Sequence, residues 1–258
     1  MKKLVAAGVD SPRRDCLVLV EDLLDKDRSW VNAHAEYELN DEQISVLDEQ
    51  LKRRINREPL AYIRGKAWFY KRFFEVNPDV LIPRPESESF IELLKELDVG
   101  TVVDVGTGSG CLAITAKLEL PQTQVFATDI SSEALKVAQK NALNHKTEIN
   151  FVQGNFLEPI NELDLENYAI LANLPYVPND LVTSPEIKTE PELALFSGTD
   201  GLDHYRQFWK QVNELHAKPK YILTESLENQ HEQLEKLAKE SSYRLLKTDV
   251  LVQLFEKA

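Results

Sequence analysis

Over the first sixty residues, apolar positions recur at three- and four-residue spacing, the period of a helix with one buried face. Ser11-Pro12 reads as a cap followed by proline at the first helical position, and Cys16, Val20, Leu23 and Leu24 carry the period to an end near Asp25. A short helix is predicted over 30–36. A longer one starts at Asn40-Asp41-Glu42-Gln43, a capping-box pattern, and turns Ile44, Leu47, Leu51 and Ile55 to one side. Next, Gly65, Phe69, Phe73, Phe74, Val76 and Asn77-Pro78 predict a β-hairpin.

From about residue 90 the pattern changes to short β-branched runs alternating with amphipathic stretches. Strands are expected at 102–105, 125–128 and 149–153, with helices after Gly110 and over 132–143 between them. Further strands are expected at 169–172 and 221–224, and 244–247 with 250–255 as a closing pair. A βαβαβ order implies a parallel sheet with helices on its faces, hence a doubly wound α/β domain after a small helical one. The expected division is a helical domain over 1–64, a hairpin and connector over 65–88, and the α/β domain over 89–258. In a doubly wound sheet, ligands bind beyond the carboxyl ends of the strands, so the loops after Val105, Thr128, Gln153 and Ala172 are where chemistry is expected.

Composition narrows the classes. The net charge is −13, with 11 basic and 13 acidic side chains in residues 1–64 against 19 and 30 in residues 65–258. So acidic a surface argues against binding nucleic acid through its phosphates. The two cysteines, Cys16 and Cys111, are far apart and form no CxxC pair, so neither a disulfide framework nor a metal site is expected. No apolar run approaches the roughly 18 residues of a membrane span, and the N-terminal stretch is too short for a targeting segment, so a cytoplasmic protein is expected.

The candidate chemistry begins at Asp104-Val105-Gly106-Thr107-Gly108-Ser109-Gly110, between a strand and a helix. Glycines let a backbone approach a cofactor closely, and the helix behind offers free N–H groups. A lone GxG is equally a tight turn, but GxGxG, with Cys111 next, departs from the dinucleotide spacing GxGxxG and favours S-adenosylmethionine over NAD. Asp129, 19 residues after Gly110, ends the second strand, where a carboxylate can accept from two ribose hydroxyls; its other reading is the cap of the next helix. Asn155 and Phe156, after the third strand, could hold the edge and face of an adenine, although Gly154-Asn155 is also ordinary turn chemistry. After the fourth strand comes Asn173-Leu174-Pro175-Tyr176. An amide nitrogen is a poor nucleophile because its lone pair is delocalised. Two acceptors, the Asn173 side-chain oxygen and the Leu174 carbonyl, can take its N–H groups and aim the lone pair at a methyl donor. Pro175 keeps Leu174 extended and so directs that carbonyl, and Tyr176 can pack over the planar amide. Without the cofactor loops, Asn-x-Pro would read as a turn ending a strand.

These segments together resemble the peptide chain release factor glutamine methyltransferases. The likeness runs through Arg57-Glu58-Pro59-Leu60-Ala61-Tyr62-Ile63-Arg64-Gly65, Val80-Leu81-Ile82-Pro83-Arg84-Pro85-Glu86-Ser87-Glu88, the glycine loop at 104–110, Asp129, the 173–176 tetrapeptide and Glu190-Pro191 before Ala194-Leu195. It implies a seven-stranded Rossmann-like methyltransferase domain and a helical substrate-recognition domain. It also implies S-adenosylmethionine held by Gly106, Thr107, Gly108, Ser109, Gly110, Asp129, Asn155, Phe156 and Asn173. Asn173, Leu174, Pro175 and Tyr176 would bind and methylate N5 of the glutamine in the Gly-Gly-Gln loop of class-1 release factors, the enzyme acting as a monomer. Three positions depart from the family pattern. Leu174 replaces a proline, Asn155 an acidic residue, and Glu225-Ser226-Leu227 stands for Glu-Ile-Gly. Asn-Leu-Pro-Tyr is also similar to the motif of ribosomal RNA adenine dimethyltransferases. Adenine N6-methylation of RNA or DNA and a catalytically silent cofactor-binding protein are therefore the competing readings.

Overall fold

A computed structural model describes residues 1–161, 163–181 and 184–258, and the chain divides into two units, Met1–Lys66 with Thr183–Thr189, and Ala67–Val182 with Glu190–Ala258. In the first unit the helices are α1 (Lys2–Ala6), α2 (Pro12–Leu24), α3 (Arg28–Ala33), α4 (Asp41–Ile55) and α5 (Leu60–Arg64). The capping box forms as expected, with Asn40 Oδ1 accepting from Gln43 N at 2.9 Å and Gln43 Oε1 from Asn40 N at 3.0 Å. Ser11 makes no side-chain cap bond, so Pro12 at the first helical position starts α2 without one. The expected 30–36 helix starts earlier and ends earlier, because Asp27 caps it by accepting from Trp30 N at 2.8 Å.

The seams of α2 and α4 also differ from the periodic expectation. The buried residues are Asp15 and Leu19 on α2 and Arg54 on α4, while Ile44 is 45% exposed. Arg54 Nε donates to Asp15 Oδ2 at 2.8 Å and its Nη1 to Glu186 Oε1 at 3.1 Å, while Arg57 Nη2 donates to Glu186 Oε2 at 2.7 Å. A buried ion pair therefore occupies the place that an apolar stripe was expected to fill.

The predicted hairpin, β1 (Lys66–Phe69) and β2 (Arg72–Glu75), belongs to the second unit from Ala67 onward. Tyr70 and Lys71 between them have φ of 44° and 65°, the two left-handed residues that let a two-residue turn match the twist of its strands. A short helix, α6 (Glu88–Leu94), precedes the sheet. The remaining elements are β3 (Thr101–Val105), α7 (Cys111–Glu119), β4 (Gln124–Asp129), α8 (Ser132–His145), β5 (Asn150–Gln153), β6 (Tyr168–Ala172), α9 (Asp203–Glu214), β7 (Tyr221–Glu225), α10 (His231–Glu240), β8 (Tyr243–Asp249) and β9 (Val252–Lys257).

The sheet has seven strands in the order β5-β4-β3-β6-β7-β9-β8, parallel through β7 and antiparallel at the closing pair. This is the expected doubly wound α/β architecture. Every side chain of β3 and β6 is buried, as helices on both faces of a parallel sheet require. One apolar cluster joins α6 and α7 to the sheet through Phe90, Leu94, Leu112 and Val102; the other joins α9 and α10 to the opposite face through Phe208, Trp209, Ile170 and Leu234. From β3 the chain winds outward to β5, then returns to lay β6 on the other side of β3. The order reverses between those two strands, and their carboxyl ends open the crevice where such sheets bind ligands.

Candidate functional site

A cleft of about 160 Å³ lies at that crevice, wholly within the second unit. Its lining includes Gly106, Gly108, Asp129, Asn155, Phe156, Asn173, Leu174 and Pro175, drawn from the loops after β3, β4, β5 and β6. The carboxyl ends of four neighbouring strands thus bring eight of the twelve expected site residues together.

Behind the cleft the glycine turn is tied down by its acidic neighbour. Asp104, 1% exposed, accepts from the Thr107 hydroxyl at 2.6 Å and from Ala113 N at 3.1 Å. Burial pushes its carboxyl up to about 7 against those two donors, with the Asp129 charge adding to the rise. Gly106 has φ of 73°, and a Cβ there would come within 3.3 Å of the Leu174 side chain. The glycine therefore leaves open the floor where the loops after β3 and β6 meet. Thr107, Ser109 and Gly110 do not line the cleft; they form the rear of the turn. A Cβ on Gly110 would meet Ala138 Cβ and Ile114 Cδ1 at 3.1 Å, so that glycine serves the packing of α7 on α8.

Asp129 faces the cleft with both oxygens engaged: Oδ2 accepts from Gly108 N and Oδ1 from Ser131 N, each at 2.9 Å. Burial raises its carboxyl, opposed by the N–H groups of Ser131, Gly108 and Ile130. The side chain that caps α8 is Ser131, accepting from Ala134 N at 3.2 Å, which disposes of the reading of Asp129 as the cap. Asn155 Nδ2 donates to Glu158 Oε1 at 3.2 Å. Phe156 has φ of 50°, its carbonyl accepts from the Thr128 hydroxyl at 2.8 Å, and its ring meets that of His204 edge-on at 5.9 Å.

In the loop after β6, Asn173 Nδ2 donates to Ser87 Oγ at 2.9 Å. Leu174 is 1% exposed, and its carbonyl accepts no hydrogen bond among the described residues. Tyr176 does not line the cleft. Its hydroxyl donates to Glu225 Oε1 at 2.8 Å, which holds the ring at the end of β7. The Tyr205 hydroxyl lies 2.8 Å from the Ala172 carbonyl and 2.6 Å from that of Glu225, bracing the ends of β6 and β7 against each other.

Several lining residues lie in segments that carried the resemblance without being assigned to the site. Val80 and Leu81 come from the segment 80–88, and Pro191, Leu193 and Ala194 from the stretch after Glu190. The two segments are bound together: Glu190, 5% exposed, accepts from Arg84 Nη2 at 2.6 Å and from Ile82 N at 3.1 Å. His204 also lines the cleft, its Nδ1 2.6 Å from Ser197 Oγ, and burial lowers its pKa. Among the described residues there is no cluster of metal-ligating side chains and no helix long and apolar enough to cross a membrane.

Residues 1–65 match the family model of the PrmC N-terminal domain, and residues 85–193 that of the methyltransferase small domain. Among characterised proteins, the chain is 36% identical over 239 residues to the release factor glutamine methyltransferase of Coxiella burnetii, covering 91% of this chain and 86% of the relative. It is 40% identical over 229 residues to that of Koribacter versatilis, covering 85% and 80%, and 37% identical over 235 residues to that of Staphylococcus aureus, covering 89% and 84%. Among solved structures, the N-terminal domain of human METTL16 in complex with SAH aligns with a TM-score of 0.52 at 13% identity, over 72% of this chain and 75% of that one. The ribosomal protein L11 methylase of Lactobacillus delbrueckii subsp. bulgaricus aligns with a TM-score of 0.50 at 21% identity, over 70% and 83%. These two likenesses concern the fold.

Proposed function

The chain belongs to the release factor glutamine methyltransferase family, and from that premise we propose how its cleft handles cofactor and substrate. It is an S-adenosylmethionine-dependent methyltransferase that acts on a glutamine of a release factor. The cleft suits the cofactor: Gly106 and Gly108 leave room that a Cβ would narrow, and Asp129 presents a carboxylate at the end of β4. Asp129 takes the ribose hydroxyls, Asn155 and Phe156 take the adenine, and Gly106 with Gly108 accommodate the rest of the molecule. Bound there, the cofactor supplies an electrophilic sulfonium methyl group.

The reading rests above all on one observation: Asn173, Leu174 and Pro175 line the same cleft as Gly106, Gly108 and Asp129. Asn173 Oδ1 and the Leu174 carbonyl accept the two N–H groups of the substrate amide. They hold its nitrogen towards the methyl donor and stabilise the positive charge that grows on it during transfer. Tyr176, which does not line the cleft, braces the loop against β7 through Glu225 instead of packing on the amide. The substrate is the glutamine of the Gly-Gly-Gln loop of a class-1 release factor, methylated at N5 and recognised by the helical domain of residues 1–64. The enzyme acts in the cytoplasm as a monomer. Its charge of −13 supports a protein substrate over a nucleic acid.

The test supplies methyl-labelled cofactor with a release factor, with its Gln→Ala loop variant, or with ribosomal RNA. Label in the intact release factor alone is the expected result. Label in RNA alone would replace this reading with adenine methylation, and label in none of the three would favour a silent binder.

A further inference from the structure

His204, the second residue of α9, lines the cleft beside Phe156, and its two ring nitrogens stand in opposite situations. Nδ1 lies 2.6 Å from Ser197 Oγ. The same oxygen accepts from His204 N at 2.9 Å, and Ser197 itself is 1% exposed and anchored by its own N–H to the Val177 carbonyl at 2.9 Å. Nε2 has no hydrogen-bond partner among the described residues and is not a buried atom, so it is open to the cleft.

Counting protons assigns the tautomer. A serine hydroxyl has one hydrogen to give, and in a protein interior that hydrogen needs an acceptor. Among the described residues Nδ1 is the one acceptor within reach of Ser197 Oγ. Ser197 therefore donates to Nδ1, Nδ1 carries no proton, and the proton of the neutral ring sits on Nε2. Burial, opposed by the Asp203 charge, lowers the pKa of the ring and so favours its neutral form. The ring thus offers the cleft a fixed N–H donor. Other side chains lining the cleft do not supply one: the Asp79 and Asp129 carboxylates accept, and the amide groups of Asn155 and Asn173 are turned to Glu158 and Ser87. An adenine presents ring nitrogens that can only accept. We propose that His204 is a cofactor-binding residue that recognises the adenine of S-adenosylmethionine, donating from Nε2 to a ring nitrogen. The inference rests on the reading of the cleft given above, in which Asp129 takes the ribose and Phe156 the adenine. His204 meets the Phe156 ring edge-on at 5.9 Å, which puts its donor at the adenine end.

Calorimetry on the full-length protein tests this with S-adenosylhomocysteine and three analogues in which N1, N3 or N7 of the adenine is replaced by C–H. One analogue should bind about 2- to 10-fold more weakly than the parent, the worth of one neutral hydrogen bond. His204→Ala should weaken the parent by the same factor and remove that difference, and His204→Gln, which keeps an N–H at similar reach, should restore part of both. Nitrogen NMR of the wild-type ring, which depends on no variant, should find the proton on Nε2. A proton on Nδ1 would overturn the proposal. So would equal affinity of the wild type and His204→Ala, or a loss in the analogue that persists undiminished in His204→Ala. In each of those cases a weakened Asp129→Ala would leave the cleft reading standing, whereas unchanged affinity in both Asp129→Ala and His204→Ala would remove that reading as well.

Discussion

In the helical unit, Leu4, Val9, Leu19, Tyr62 and Ile63 are buried, and Asp15 and Arg54 share their interior. In the sheet of the other unit, β3 and β6 bury every side chain, and apolar clusters cover both faces. A small interior must complete itself with directional, mutually dependent charge contacts. A large one can spare polar groups such as Asp104, Asp129 and Glu225 to shape a site, because burial of apolar surface already supplies its stability. The same residue type therefore does different work in the two regions. Carboxylates hold the helices together in one and hold loops in position in the other.

The contrast is sharpest at Arg54. Arg54→Ala strands Asp15 in the interior without its partner, and such losses typically cost about 3–5 kcal/mol. Hydrogen exchange should show residues 1–64 opening while S-adenosylmethionine binding to the sheet unit persists; protection unchanged in α2 and α4 would break the comparison. In the sheet unit the largest effect should be kinetic. Asn173→Ala should lower turnover by roughly 100- to 1,000-fold with little change in thermal midpoint or cofactor affinity, whereas Leu174→Pro, which keeps the carbonyl, should match or exceed the wild type. Near-normal turnover in Asn173→Ala at saturating substrates would return the loop to a structural turn.

Asp129→Ala should weaken cofactor binding by about 1.5–3 kcal/mol in calorimetry and leave the fold intact; it also frees Gly108 N from its present acceptor. The smallest effect should be a difference of sign in pH dependence. Burial works against the charge of Asp22, but hydrogen bonds and charge from Arg64 and Lys66 outweigh it and hold its carboxyl below the ordinary range; Arg57 and Arg54 do the same for Glu186. A depressed folded pKa gives stability that is present above the unfolded carboxylate range and lost as pH falls through the folded value. Asp104 is pushed the other way, to about 7. Its contribution is full below the unfolded value near 3.8 and is lost as pH rises through about 7. Exchange corrected for intrinsic rates should therefore speed up in α2 on acidification, and in β3 as pH rises from the unfolded value near 3.8 to about 7. Asp104→Asn should abolish the β3 response, and a response of the same sign in both elements would refute the distinction.

The sheet was readable because buried parallel strands are short apolar runs: Tyr168–Ala172 is one, and in Thr101–Val105 the β-branched run is interrupted only by Asp104. The helical unit was less so: a search for apolar period passes over Asp15, which looks exposed until Arg54 is known to face it. The cleft was legible where its residues follow strand ends, as at Gly106, Asp129 and Asn173. The helper residues were not. Ser87 lies 86 positions from Asn173 and Glu225 lies 49 from Tyr176, and local pattern carries no information across such gaps. The signal that was available at Ser87 was its place at the end of LIPRPES, a polar residue closing a proline-bounded segment.

Glu186 gives the helical unit an unusual timetable. Arg54 emerges from a ribosome 132 residues before the carboxylate it shares with Arg57. At bacterial-to-eukaryotic elongation speeds of about 5–20 residues per second, that is a wait of roughly 7 to 26 s, during which Arg54 has Asp15 as its carboxylate partner and Arg57 has the Ala7 and Gly8 carbonyls. The helices can form early, since their caps and local contacts are in place. Their charge network closes only when the stretch beyond β6 has been made, so the first unit to be synthesised is completed only after four of the seven strands of the sheet.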